Sequence, residues 1–385
     1  GSSARDSAAL AALPDVLRDV LARDQLYDID EEARRALRAS RNVISRIPRA
    51  LPRYLRAIDW YDAAQVGEAR KAVVTWARLS AVEAFELLHP RFGAAFVRDY
   101  AVQCLEILPD QDLNDFLLQL VQTLKFEPYH DSALARFLLT RALRNKPFVG
   151  HALFWHLRAN VHEVQIAERY YLLLEQYLMH CTSADRERLI NECRIMAELT
   201  AVAEGVKERP DAASRVEYLH ERLRAVDFPQ RFQLPLFHDI ECRGVEVDKC
   251  RVMKSKKLPL WLVFHNADAG APNVRVLLKV GDDLRQDVLT LQMIKLMDRL
   301  WRAEGLDLQM SPYGVVSTGD ERGLVEVVLN SETTAGINRK AGGAAQILVD
   351  DTITKWLRSH NTADDDWRAA QRTFALSCAG YCVAT

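Results

Sequence analysis

Residues that could do chemistry gather around Val276–Leu300. Lys279 stands at the end of the apolar run Val276-Leu277-Leu278, and Gly281, Asp282, Asp283 and a long amphipathic stretch bearing Asp287 follow at once. Phosphoryl transfer from a nucleotide depends on position and on positive charge at the phosphates. A lone lysine leaving a buried strand beside a helix that carries an acid therefore suits a nucleotide phosphate. The plainer alternative is an ordinary strand and helix with a snorkelling lysine. Upstream, Lys254-Ser255-Lys256-Lys257 forms a basic group between two short apolar runs, a pattern that an ordinary solvated loop also produces.

These residues need particular elements to hold them. Val276–Leu278 predicts a buried strand, Gly281 its break, and Asp282 and Asp283 suit the N-terminus of the next helix. In that helix Leu284, Val288 and Leu291 fall at helical spacing, and Leu289, Met293, Leu296 and Leu300 widen the apolar stripe. VDKCRV and PLWLVF read as two short strands around the basic turn, and Gly323–Val328 as another.

The whole chain sets outer bounds. Its 385 residues allow two or three domains, 49% of them are apolar, and the formal charge of −2 argues against nucleic acid as partner. No apolar run is long enough to cross a bilayer, so any lipid contact is expected to be peripheral. The seven cysteines are scattered, none in a C-x-x-C pair, and no secretory leader precedes them. Reduced thiols in the cytosol and no zinc site are the expectation. Gly1-Ser2-Ser3 and the apolar ending CAGYCVAT read as cuts within a longer protein.

From Trp60 to about Cys181 the text is helix after helix. Val97–Leu108, Leu113–Phe126, Ser132–Leu143, Gly150–Asn160 and Val164–Met179 each carry apolar residues at three- and four-residue steps, with Pro109, Pro128 and Pro147 between them. Helix pairs of this length without strands predict a HEAT-like α-solenoid, which is a spine rather than a reaction centre. His156, between Trp155 and Leu157, has no carboxylate partner at a useful spacing and reads as a packed residue. Thr182–Glu241 loosens into charged helices and then extended chain, a connector.

Several long strings carry a family resemblance. KVGDDLRQDVLTLQ with GLDLQMSPYGVVSTGDERGLVEVV resembles the kinase N-lobe of phosphoinositide 3-kinase catalytic subunits. VRDYAVQCLEIL, FLLQLVQTLKFEPYHDSALARFLLTRAL and GHALFWHLRANVH resemble the accessory helical domain that precedes it. The resemblance implies a multidomain, mainly α protein: an N-terminal segment 1–23, a HEAT-like helical domain 24–182, a connector 183–240 and an α+β kinase-like N-lobe 241–385 with an antiparallel sheet. It implies transfer of the ATP γ-phosphate to the inositol 3-hydroxyl of a phosphoinositide lipid.

Carried over residue by residue, the resemblance makes Lys279 the phosphate contact. Ser255 and Lys257 close over the phosphates from the basic turn, and Met253, Trp261, Leu277 and Val325 line the adenine slot. Asp287 and Tyr313 stand at its inner end, and the Glu326 carbonyl and Val328 amide face the base. As bare sequence, the apolar members of this set are equally core residues. The resemblance further implies that Asp28 and Glu31 meet an SH2-containing regulatory subunit, although helix capping alone explains acids there. The TGDERGLVEVV and SETTA strings lean to the class I type, which takes phosphatidylinositol 4,5-bisphosphate. A cytoplasmic enzyme recruited to the plasma membrane would follow, with Ras-binding and C2 modules upstream.

SCAGYCVAT resembles the helix before the family's catalytic loop, and neither an Asp-Arg-His loop nor an Asp-Phe-Gly motif occurs in the 385 residues. The Mg2+ ligands are therefore expected beyond Thr385, and the isolated chain is expected to be inactive. Phe374, Cys378, Tyr381 and Val383 on the last helix are expected to lie uncovered. A non-catalytic module that sequesters a regulatory subunit is the alternative reading.

Overall fold

The computed structural model describes residues 11, 13–24, 27–341 and 351–385. The stretch NSETTAGINRKAGGAAQ reads as a surface loop and short helix; its residues 342–346 lie outside the described residues, as do residues 1–10. The chain divides into two compact units, residues 1–145 with 171–179, and residues 146–170 with 180–385.

The first unit is helical. Its helices start where the sequence offers caps: the Asp30 carboxylate accepts from the Ala33 N–H at 2.8 Å, and Ser80 and Glu83 form a capping box. Pro109 stands directly before the helix Asp110–Thr123, as a residue without an N–H can. Leu37, Leu55, Leu87, Leu105, Leu117 and Leu138 are fully buried, so the three- and four-residue apolar spacing does point inward. One charged pair sits in this interior. Arg98 is 2% and Glu127 6% exposed; the Arg98 Nε donates to Glu127 Oε1 at 2.7 Å and its Nη1 to the Leu88 carbonyl at 2.9 Å.

The second unit begins with the wide helical turn Lys146–Gly150 and the helix His151–Arg158. Two helices, Ser183–Lys207 and Ala212–Ala225, pack on one another, and the first is 25 residues long. Gly205 allows their close approach, because a Cβ there would collide with the Tyr218 side chain.

Seven antiparallel strands follow: β1 (Phe232–Leu234), β2 (Phe237–Val245), β3 (Arg251–Val252), β4 (Leu260–Asn266), β5 (Val274–Val280), β6 (Val315–Gly319) and β7 (Arg322–Glu326). Their order is β1-β2-β4-β5-β7-β6, with β3 paired to β4 beside this path. Register puts Leu260, Leu278 and Leu324 in one row, all fully buried, and Trp261, Leu277 and Val325 in the next. Strand alternation therefore sends Trp261, Leu277, Lys279 and Val325 to the same face. The sequence folds as expected here: a mainly α chain whose helical part is followed by an antiparallel kinase-type sheet.

The helix Arg285–Ala303 departs from the expected apolar stripe. Leu291 and Ile294 are buried with Met310, against Trp301, Leu308, Val315, Tyr381 and Ala384, whereas Leu289, Met293 and Leu300 are 45%, 40% and 57% exposed. The stripe was wide enough for two overlapping faces, and contact with Met310 and Val315 selects one of them. Tyr381 is consequently half-covered rather than bare, and its hydroxyl accepts from the Ser311 N–H at 3.3 Å. Phe374, Cys378 and Val383 do lie exposed. All seven cysteines are free thiols, and among the described residues no helix is long and apolar enough to cross a membrane.

Candidate functional site

Lys279 lies on β5 directly across from Gly323 of β7, two residues beyond Leu277. Position 323 requires glycine, since a Cβ there would collide with the Val316 carbonyl and the Leu284 side chain. Lys279 is half-buried and, among the described residues, its ammonium has no ion-pair or hydrogen-bond partner. Asp287, in the first turn of the following helix, is half-buried too and forms no ion pair with it.

The basic turn joins β3 to β4, whose register pairs Arg251 with Trp261 and Val252 with Leu260. The Arg251 guanidinium stacks 4.3 Å above the Trp261 ring. Within the turn the Met253 N–H donates to the Pro259 carbonyl at 2.9 Å and the Leu258 N–H to the Ser255 carbonyl at 3.1 Å. Leu258 takes a left-handed φ of +49°, which non-glycine residues adopt sparingly. Ser255 is exposed, and the Lys257 ammonium donates to the Gly281 carbonyl at 2.6 Å, immediately past β5.

At the other end of the face, Glu326 is tied to the chain before β6. Its N–H donates to the Gly314 carbonyl at 2.8 Å, and its carboxylate accepts from the Gly314 N–H at 2.7 Å. The Val328 N–H has no hydrogen-bond partner among the described residues, and Val328 and Tyr313 are 44% and 37% exposed. An uncommitted ammonium, a half-buried apolar face and a free backbone donor along one sheet are what a nucleotide triphosphate requires. Among the described residues no three His, Cys, Asp or Glu side chains converge as metal ligands.

Sequence reasoning passed over the group that fixes the helix start. The Arg285 guanidinium donates to Glu163 at 2.7 Å and to Asp283 at 2.8 Å, and approaches Asn160 Oδ1 at 3.4 Å. Its hydrogen bonds to Asp283 and Glu163 raise its own pKa and hold both carboxyls below their usual range. Arg285 lies inside KVGDDLRQDVLTLQ, but Glu163 is 122 positions away and carries no sequence signal of the contact.

Two family models match. One is the phosphoinositide 3-kinase family accessory domain (PIK domain), over residues 7–190, and the other phosphatidylinositol 3- and 4-kinase, over residues 273–385. The chain belongs to the phosphoinositide 3-kinase family. It is 42% identical over 369 residues to Phosphatidylinositol 3-kinase 2 of Dictyostelium discoideum, covering 96% of this chain and 20% of that protein. Phosphatidylinositol 3-kinase 1 of the same organism is 45% identical over 367 residues, covering 95% of this chain and 23% of that protein. The chain thus spans about a fifth of the length of these curated relatives.

Asp28, Glu31 and His156 also have clear places in this chain. Asp28 is exposed and lies 3.6 Å from the Arg56 guanidinium, and Glu31 receives a hydrogen bond from Arg38 at 3.3 Å. Asp30 between them is the helix cap, so Asp28 and Glu31 are not needed for that task. His156 is half-buried in the helix His151–Arg158. Burial, with a smaller contribution from His151, lowers its pKa from 6.5 to about 4. The adjacent Glu192 carboxylate is committed instead to His151 and to the Trp155 indole, both at 2.8 Å.

A depressed histidine pKa means that the unfolded chain takes up the proton first. The contribution to stability is whole above pH 6.5 and is lost as pH falls towards about 4. Thermal unfolding across this window should therefore show less acid destabilisation in His156→Asn than in the parent. Equal acid sensitivity of the two proteins would refute the assignment.

Proposed function

We propose that the chain supplies the helical accessory domain (24–182), the connector (183–240) and the N-terminal part of the catalytic domain (241–385) of a phosphatidylinositol 3-kinase. The whole protein would transfer the γ-phosphate of ATP, with Mg2+ held by residues other than those described, to the inositol 3-hydroxyl of a phosphoinositide. The carrying observation is the uncommitted Lys279 ammonium on the same sheet face as Trp261, Leu277 and Val325. Lys279 would take the phosphates, Ser255 and Lys257 would cover them, and the Val328 N–H would meet the base.

The finer reading is a class I enzyme that acts on phosphatidylinositol 4,5-bisphosphate from the cytoplasm after recruitment to the plasma membrane. Its SH2-containing regulatory subunit would contact Asp28 and Glu31, two exposed carboxylates that stand beside the cap rather than forming it. One reconstitution tests both parts. The whole protein, ATP, Mg2+ and vesicles bearing phosphatidylinositol 4,5-bisphosphate are combined, with and without the regulatory SH2 domain, and the phosphorylated position is identified. Product at the 3-hydroxyl, together with weaker SH2 binding by Asp28→Lys/Glu31→Lys, is expected. Absence of lipid product refutes the enzyme reading, and unchanged SH2 binding refutes the partner reading.

A further inference from the structure

We propose that Lys207 is a positioning residue for Lys279, fixing the backbone at the end of β5 so that the Lys279 ammonium meets the phosphates at a set depth. The inference rests on the functional reading above. Pairing between β4 and β5 stops at Leu260 and Leu278. Lys279 and Val280 overhang the end of β4, and only β7 continues beside them, through Gly323 and Arg322. A phosphate-binding lysine on a strand supported from one side would wander, and misplacement of a charge by about 1 Å can lower a rate about a hundredfold.

Two lysine ammoniums supply support there. Lys207 donates to the Val280 carbonyl at 2.7 Å, and Lys257 to the Gly281 carbonyl at 2.6 Å. Beyond them, the Gly281 and Asp282 N–H groups both donate to the Glu321 carbonyl. Lys257 belongs to the exposed basic turn, where closing over a nucleotide would draw its ammonium away from Gly281. Lys207 is different. It is the last residue of the helix Ser183–Lys207, whose end is held by the close Gly205–Tyr218 approach, by Arg209 stacked 4.3 Å over the Tyr218 ring, and by the Arg215 Nε bond to the Arg209 carbonyl at 3.0 Å. A charge-assisted bond from a fixed base to the residue after Lys279 is a positioning device. Lys207 also lies between the stretches matched by the two family models, in the part of the chain where neither describes a residue.

The test uses the whole protein with Lys207→Met and Lys207→Arg. Lys207→Met is expected to lower kcat/KM for ATP about ten- to a hundredfold with the KM for lipid unchanged, and Lys207→Arg to recover most of the loss. Amide hydrogen exchange should quicken at Val280–Asp282 in Lys207→Met and stay at parent rates in the helices. A parent without ATP-dependent lipid phosphorylation overturns the functional reading. With an active parent, a Lys207→Met enzyme at parent efficiency overturns this inference alone. Faster exchange throughout the second unit would also overturn it, because it would make Lys207 a general stability residue.

Discussion

Replacing Lys279 by methionine in the whole protein is expected to lower kcat/KM for ATP by about 10²–10³-fold, equivalent to ~2.7–4 kcal/mol of lost transition-state stabilisation. Methionine keeps most of the apolar stem of the side chain and removes the ammonium with its charge and donors. The Lys279 ammonium has no ion-pair or hydrogen-bond partner among the described residues, so no internal interaction is broken, and a change in folding stability of no more than about 0.5 kcal/mol is expected. The two readouts together make the result decisive. Lipid-kinase rates measured against ATP, beside urea unfolding of the same variant, should show a large kinetic loss with an unmoved unfolding midpoint. Parent activity would remove Lys279 from the site, and a matching loss of stability would make it a structural residue.

How much of this site could be read from the sequence depends on how local its causes are. The strand Val274–Val280 and its break at Gly281 were legible, because a buried apolar run and a glycine at φ +87° are local facts. Alternation then put Leu277 and Lys279 on one face without reference to any other strand. The row Trp261, Leu277, Val325 was reachable only through the family resemblance, since pairing across strands has no local signal. The apolar stripe on Arg285–Ala303 shows the opposite failure. Leu289, Met293 and Leu300 match the helical period as well as Leu291 and Ile294 do, and only packing against Met310 separates them. Lys207 and Glu163 were invisible for the same reason: each acts on a residue far along the chain, the Val280 carbonyl and the Arg285 guanidinium, and neither stands in a motif.

Substituting Arg98→Met in the helical unit is expected to destabilise it by about 3–5 kcal/mol, the cost of leaving a buried charge without its partner. Arg98 and Glu127 are 2% and 6% exposed, so the Glu127 carboxylate would stay in the interior with neither the guanidinium nor ready access to water. The carbonyl of Leu88, which accepts from Arg98 Nη1 at 2.9 Å, would lose its donor at the same time. Most of this penalty belongs to the stranded charge rather than to the worth of the pair, because desolvation offsets much of the Coulomb gain. The double substitution Arg98→Met/Glu127→Leu should therefore recover most of the loss, and a double-mutant cycle read by urea unfolding measures the recovery. Additive losses in the cycle would show that the two side chains act independently. A small loss in Arg98→Met alone would show that Glu127 takes up a proton or reaches water. Recovery would leave Arg98 with a narrower role: it orients the Leu88–Phe92 turn, to whose carbonyls it donates, within the helical spine.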